Sequence, residues 1–143
     1  MKASVACVIL GKTPETKNKI LIAHRAQKGD MGGRWEFPGG KVDQGESDRD
    51  AIVREMLEEF GESVLVGGQV AASEFEHKGE KNALRAYEVF FSNDGLEKPF
   101  ALTEHTETKW VLFDQIPTDN FVDSDLKLLP SVKKYIEQNY EGR

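Results

Sequence analysis

The stretch GGKVDQGESDRDAIVREMLEEFG, residues 39–61, decides how this chain is read. It carries seven acidic side chains, Asp43, Glu46, Asp48, Asp50, Glu55, Glu58 and Glu59, with glycine at each end. Its second half reads as a helix from Ser47 to Phe60. Ser47 can cap it, with Asp50 three residues on in the manner of a capping box. Gly61 suits a left-handed C-terminal stop. Ile52, Val53, Met56, Leu57 and Phe60 form a stripe at about 100° per residue that is expected to face the core. Glu55, Glu58 and Glu59 are expected on the other side, on adjacent turns of one face. Two carboxylates about 4 Å apart repel by roughly 4 kcal/mol at an effective dielectric of about 20. Converging carboxylates therefore need cations or shifted pKa values. All-oxygen ligands suit Mg²⁺ or Mn²⁺, and Mg²⁺ characteristically sits between a few carboxylates and substrate phosphates. An isolated EExG would instead read as a solvated helix face.

The rest of the chain sets bounds. Its 143 residues suit one domain, 1–143, with a real core. Hydrophobic residues at 38% and charged residues at 31% describe a globular chain, not a disordered one. A formal net charge of −6 argues against stable nucleic-acid binding, which calls for a basic face. It leaves room for a small anionic substrate, because a metal ion can reverse the local field. Cys7 is the single cysteine, so no internal disulfide can form; it reads as a small core residue in a reducing compartment. No apolar run is long enough to span a bilayer, and MKASVACVIL continues into polar sequence without a cleavage pattern. A cytoplasmic protein with no membrane partner is expected.

Coarse elements follow from composition. Ala3 to Leu10 and Lys19 to His24 read as strands joined as a hairpin across GKTPETKN. Residues 27–40 hold five glycines and one proline and read as irregular. Val64 to Glu76 and Leu84 to Phe91 read as strands, the second followed by the turn SNDG. Lys109 to Phe113 reads as another short strand. Ser124 to Asn139 reads as one terminal helix with Leu126, Leu129, Val132, Tyr135 and Ile136 near helical spacing, although Pro130 falls inside it. Strands mixed with helices give an α/β or α+β class with a mixed sheet.

The opening stretch resembles the Nudix box, G-x5-E-x7-R-E-U-x-E-E-x-G-U, where U is bulky and apolar. Gly40, Glu46, Arg54, Glu55, Met56, Glu58, Glu59 and Gly61 fill it in register. At ~6% usage per residue type, seven fixed identities coincide by chance on the order of 10⁻⁹ per window. The final apolar place is Glu62, so that contact has to come from elsewhere, with Val64 the candidate. Upstream, HRAQKGDMGGRWEFPGGK is similar to the approach in MutT-type nucleoside triphosphate pyrophosphohydrolases. The match is carried mainly by Ile20 to Gly61. It implies an α/β/α sandwich with a mixed central sheet and the box as loop-helix-loop.

The resemblance also implies roles. Glu55, Glu58 and Glu59 would hold divalent metal, with the Gly39 carbonyl as a further ligand and a downstream carboxylate, Glu104 or its competitor Glu107, completing the set. Glu55 is the choice for the proton-accepting base. Arg54 would pair with carboxylates such as Glu46 and hold the glutamates in place. Arg25 would grip phosphate with its fork of donors. Lys41 would add positive charge, against a bland reading as an exposed lysine. Glu36, Phe37 and Pro38 of WEFPGGK join the substrate-binding set; Trp35 pins its loop to the core, and Phe37 either does the same or borders the base. Of Asn120, Asp123 and Asp125, the last aligns best with the base-reading asparagine of MutT-type enzymes. A carboxylate there would accept from N–H groups of a purine edge. His105, His77 and His24 read as loop or structural residues, not ligands.

Other branches leave marks that this chain lacks. No proline lies between Pro38 and Pro99, the first tyrosine after the box is Tyr87, and no SQPWPFP stretch occurs. The triphosphate branch is thus favoured, with 8-oxo-dGTP the first candidate substrate. RNA 5′ ends, ADP-ribose and dinucleoside polyphosphates remain alternatives. A binding regulator on the same scaffold is the non-enzyme alternative, and such proteins typically lose box glutamates. Monomer and homodimer are both compatible with the sequence.

Overall fold

The computed structural model describes residues 2–27, 29, 31–92 and 105–140. Among these residues two sheets and three α-helices make an α/β/α sandwich. The first sheet is mixed and has the order β4-β1-β6-β5, from β1 (Lys2–Val8), β4 (Gly39–Lys41), β5 (Val64–His77) and β6 (Glu80–Phe91). Within it β1 runs parallel to β6, while β4 and β5 are antiparallel to their neighbours. The second sheet, order β3-β2-β7, is antiparallel and contains β2 (Lys19–Arg25), β3 (Trp35–Glu36) and β7 (His105–Leu112).

Period-two alternation along the strands divides the interior into two layers. Val5, Cys7 and Ile9 of one face, with Leu21 and Ala23, pack on Ala51, Ile52, Met56 and Phe60 of α1 (Asp48–Phe60). Ala6, Val8, Ile20, Ile22, Leu84 and Ala86 of the other face pack with Phe37, Phe121, Leu128 and Val132 on the side of α3 (Leu129–Asn139). Each buried large apolar side chain contributes about 1.5–3 kcal/mol over an exposed one. Both layers draw on both sheets, which holds the sheets together despite their separate hydrogen-bond ladders.

Several expectations need correction. The first two long strands do not form a hairpin. They meet only at the Leu10–Ile20 bridge and then enter different sheets. The irregular segment contains β3 and β4, too short to show periodicity. Strand β6 begins at Glu80 and β7 at His105, earlier than Leu84 and Lys109. Residues 93–104, most of the SNDG turn and Glu104 among them, lie outside the described residues. The terminal helix is two, α2 (Asp123–Leu126) and α3, because Pro130 sits in the first turn of α3, where its missing N–H costs nothing. Among the described residues no helix is long and apolar enough to cross a membrane.

Helix α1 has the expected ends. Ser47 Oγ accepts from the Asp50 N–H at 3.1 Å, and Gly61 adopts φ +70°. Its buried stripe is rotated from the expected one. Ile52, Met56 and Phe60 are buried with Ala51 and Glu59, whereas Val53 is 40% and Leu57 57% exposed. The rotation brings Glu59 inward and leaves Glu58 outside.

A second anchor fixes the start of α1. Asp48 accepts from Arg85 Nε at 2.5 Å, Arg85 Nη2 at 2.7 Å and Tyr87 Oη at 2.6 Å, both partners lying on β6. The Arg85 hydrogen bonds are the main reason the Asp48 carboxyl lies below its usual range. Asp48→Ala should cost about 2 kcal/mol of stability in urea unfolding, as expected for hydrogen bonds to a charged group. The Asp48 pKa is lower in the folded chain. Its contribution is therefore complete above the unfolded value of about 3.9 and lost as pH falls through the depressed one, so wild type and variant should converge in acid.

Candidate active site

One cavity of about 690 Å³ is lined by residues from both sheets and α1, among them Arg25, Glu36, Phe37, Gly39, Gly40, Lys41, Glu55, His105 and Asp125. Arg54 stands behind its wall, joined to the lining residues Glu55 and Lys41. The guanidinium donates to Glu46 Oε2 at 2.8 Å and Oε1 at 3.0 Å, to Glu55 Oε1 at 2.9 Å, to Glu58 Oε2 at 3.2 Å and to the Lys41 carbonyl at 2.9 Å. Asp43 lies within 3.5 Å. Arg54 therefore holds Glu46, Glu55 and Glu58 in one array and ties α1 to β4. Glu46 also accepts from the Asp43 N–H, and Arg54 above all pulls its carboxyl down to about 2. The same hydrogen bonds, with Glu46 first, raise the Arg54 pKa above its ordinary value.

The glycines next to the array have steric reasons to be glycine. A Cβ on Gly40 would stand 2.3 Å from the Glu55 carboxyl carbon, and one on Gly39 would stand 2.0 Å from the Val5 carbonyl oxygen. The Glu55 carboxylate thus lies directly on bare backbone at the cavity wall.

The box glutamates are not all brought together. Glu59 turns inward and accepts from the His105 backbone N–H at 3.0 Å, with His105 Nδ1 at 2.8 Å. Among the described residues no three His, Cys, Asp or Glu side chains converge to hold a metal ion. The donor set nonetheless fits Mg²⁺, which needs one or two carboxylates and takes its other ligands from phosphates and water. Glu55 supplies hard oxygens beside the Gly40 backbone, and Glu58 is held by the same guanidinium on the solvent side.

The substrate-side residues divide. Arg25 donates from Nη1 to Glu36 at 3.1 and 3.3 Å; its Nε is buried without a hydrogen-bond partner among the described residues. Lys41 is exposed at the cavity rim. Phe37 is 2% exposed and packs edge-on against Phe121, so it pins its segment while also lining the cavity. Trp35 is buried as expected, and the Pro38 carbonyl accepts from the Cys7 N–H. Asn120 donates to the Gly33 carbonyl and Asp123 pairs with Arg34, which leaves Asp125 as the one of the three that lines the cavity. Its Oδ2 accepts from the Phe37 N–H at 2.9 Å. Glu107 lies on β7 opposite His24 and is exposed.

His105 overturns its expected place in a loop. It opens β7 opposite Arg25, is buried, and its two ring nitrogens lie 2.8 Å from Glu59 and 2.8 Å from Glu36. Burial opposes its charge, but Glu36 and then Glu59 outweigh that and raise its pKa. No local sequence signal marks this role, since both partners are distant in the chain. His24 is structural, bonded to Thr106 and the Gly33 carbonyl, and His77 ends β5 in solvent.

The family model described as the NUDIX domain matches residues 1–132. The chain belongs to the Nudix family of hydrolases, and its relatives include MutT-like members. It is 45% identical over 75 residues to the CTP pyrophosphohydrolase of Escherichia coli K12, a match covering 52% of this chain and 56% of that protein. It is 35% identical over 99 residues to the oxidized purine nucleoside triphosphate hydrolase of Mus musculus, covering 69% and 62%. The chain thus spans less than two thirds of either relative. Among solved structures, the E. coli ORF135 protein matches with TM-score 0.78 and 30% identity, covering 100% of this chain and 95% of that one. The MutT NUDIX hydrolase from Burkholderia pseudomallei shares the fold at TM-score 0.75 and 23% identity, covering 92% and 97%.

Burial first, then the charge of Glu36, pushes the Asp125 carboxyl up to about 8. The folded chain therefore binds this proton more tightly than the unfolded one. The stability so gained is complete below about pH 4 and lost as pH rises through about 8. Asp125→Asn should flatten that part of the curve in thermal melts between these limits. An unchanged slope would assign it to another group.

Proposed function

We propose that this chain, acting as a single cytoplasmic domain, hydrolyses a nucleoside triphosphate to the monophosphate and pyrophosphate with Mg²⁺ or Mn²⁺. One juxtaposition supports this most. Glu55, held by Arg54, and the bare Gly39–Gly40 backbone share a cavity with Arg25 and with the apolar residues Phe37, Phe75, Leu84 and Val122. Polyphosphate and base can be held in one space.

Glu55 and Glu58 would hold the cation with the Gly39 carbonyl; Glu59 would support them from behind, and Glu104 is a further candidate. A divalent cation there supplies neutralising charge for phosphate oxygens and acidifies water. The chain's own residues do the rest. Arg54 and Glu46 fix the carboxylates. Glu55 takes the proton of the attacking water as its oxygen bonds to phosphorus and the α–β anhydride bond breaks. Arg25 and Lys41 bind the anionic chain, with Glu36 orienting Arg25. Phe37 borders the base, and Pro38, which does not line the cavity, holds the segment to β1 through its carbonyl.

Asp125 bears on the base. A carboxyl that keeps its proton near neutrality donates and accepts at once, unlike the acceptor-only carboxylate expected from sequence. It suits an edge presenting an acceptor beside a donor. Cytosine offers N3 and its 4-amino group; 8-oxoguanine offers O6 and N7–H. Relatives named for CTP and for oxidized purine triphosphates agree with these two chemistries.

The test is product analysis in Mg²⁺ over CTP, dGTP, 8-oxo-dGTP, ADP-ribose, a dinucleoside polyphosphate and triphosphorylated RNA. Pyrophosphate should appear from CTP or 8-oxo-dGTP well above the others, and Glu58→Gln should lose at least a hundredfold in kcat while still binding nucleotide. Turnover of ADP-ribose or RNA alone would overturn the substrate class. No turnover at all would favour a binding regulator.

A further inference from the structure

Glu36 and Glu59 come from different parts of the sandwich. Glu36 lies on β3 in the three-stranded sheet, and Glu59 lies on α1, which packs on the other sheet. Their side chains are 15% and 5% exposed. Between them sits the His105 ring, 4% exposed, with Nε2 2.8 Å from Glu36 Oε2 and Nδ1 2.8 Å from Glu59 Oε1. The ring stacks on Phe60 of the same helix at 6.0 Å and 18°. Each ring nitrogen therefore has one carboxylate partner. Glu36 in turn holds Arg25, which makes a continuous chain Glu59–His105–Glu36–Arg25 from the box helix to the opposite wall of the cavity.

We infer that His105 is a positioning residue that sets the spacing between the carboxylate helix and the Glu36–Arg25 wall. It does so through one hydrogen bond at each ring nitrogen. Beside it the β2–β7 register shifts between His24 and Arg25. Residues of this kind, which orient the groups that meet substrate, typically matter by 10- to 100-fold in activity. The inference rests on the triphosphate hydrolase reading for its assay.

Two near-isosteric variants each keep half of the tie. In His105→Asn the amide nitrogen can replace Nδ1 and reach Glu59; in His105→Gln it can replace Nε2 and reach Glu36. Both should lose about tenfold or more in kcat, by analogy with such orienting residues. Affinity for a non-hydrolysable α,β-methylene triphosphate should change by less than about threefold, because contacts made equally in ground and transition states are kept. Variants with kcat within threefold of wild type would overturn the inference. So would losses that only follow a fallen melting temperature, since they would mark a merely structural histidine. If the wild type turned over no triphosphate, the activity reading itself would fail, an outcome distinct from either.

Discussion

The guanidinium of Arg54 is the contact on which the rest depends. It meets Glu46, Glu55, Glu58 and the Lys41 carbonyl within 3.2 Å. Without it, the carboxylates would face one another with no opposing charge between them. The planar fork of arginine can address several oxygens at fixed angles; an ammonium cannot. Arg54 also joins α1 to β4. The same hydrogen bonds that offset the repulsion therefore bring the helix against Gly39 and Gly40, and the packing of α1 and the chemistry of the cavity are one arrangement.

Around that centre the molecule places opposite demands side by side. Asp48, at the start of α1, is kept ionised by Arg85 and Tyr87 and anchors the helix on β6. Asp125, on the far wall, is buried near Glu36 and is pushed toward its protonated form. Environment, not residue type, sets the two carboxyls apart. His105 joins the two regions through carboxylates that the chain separates by 23 residues, Glu36 and Glu59.

Much of this was legible from sequence where the signal was local. The caps at Ser47 and Gly61, the spacing of the box and the pairing of Arg54 with Glu46 all lie within one short stretch. What was misread depended on distant packing. The apolar stripe of α1 was centred on five residues, but Val53 and Leu57 face solvent, because the helix rotates to bury Glu59 against His105. The strands Lys2–Val8 and Lys19–Arg25 are both apolar, so composition could not say that they belong to different sheets. β3 and β4 are shorter than any periodicity. His105 had no neighbour in sequence that would reveal its partners.

The central claim is that the carboxylates around Arg54, with the Gly39–Gly40 backbone, form a divalent-cation site for a polyphosphate. Paramagnetic broadening by Mn²⁺, read in amide NMR spectra with a non-hydrolysable triphosphate present, tests it most directly. Signals of Gly39 to Lys41 and Glu55 to Glu58 should vanish first, at substoichiometric Mn²⁺. Broadening centred elsewhere, or none at one equivalent, would contradict it.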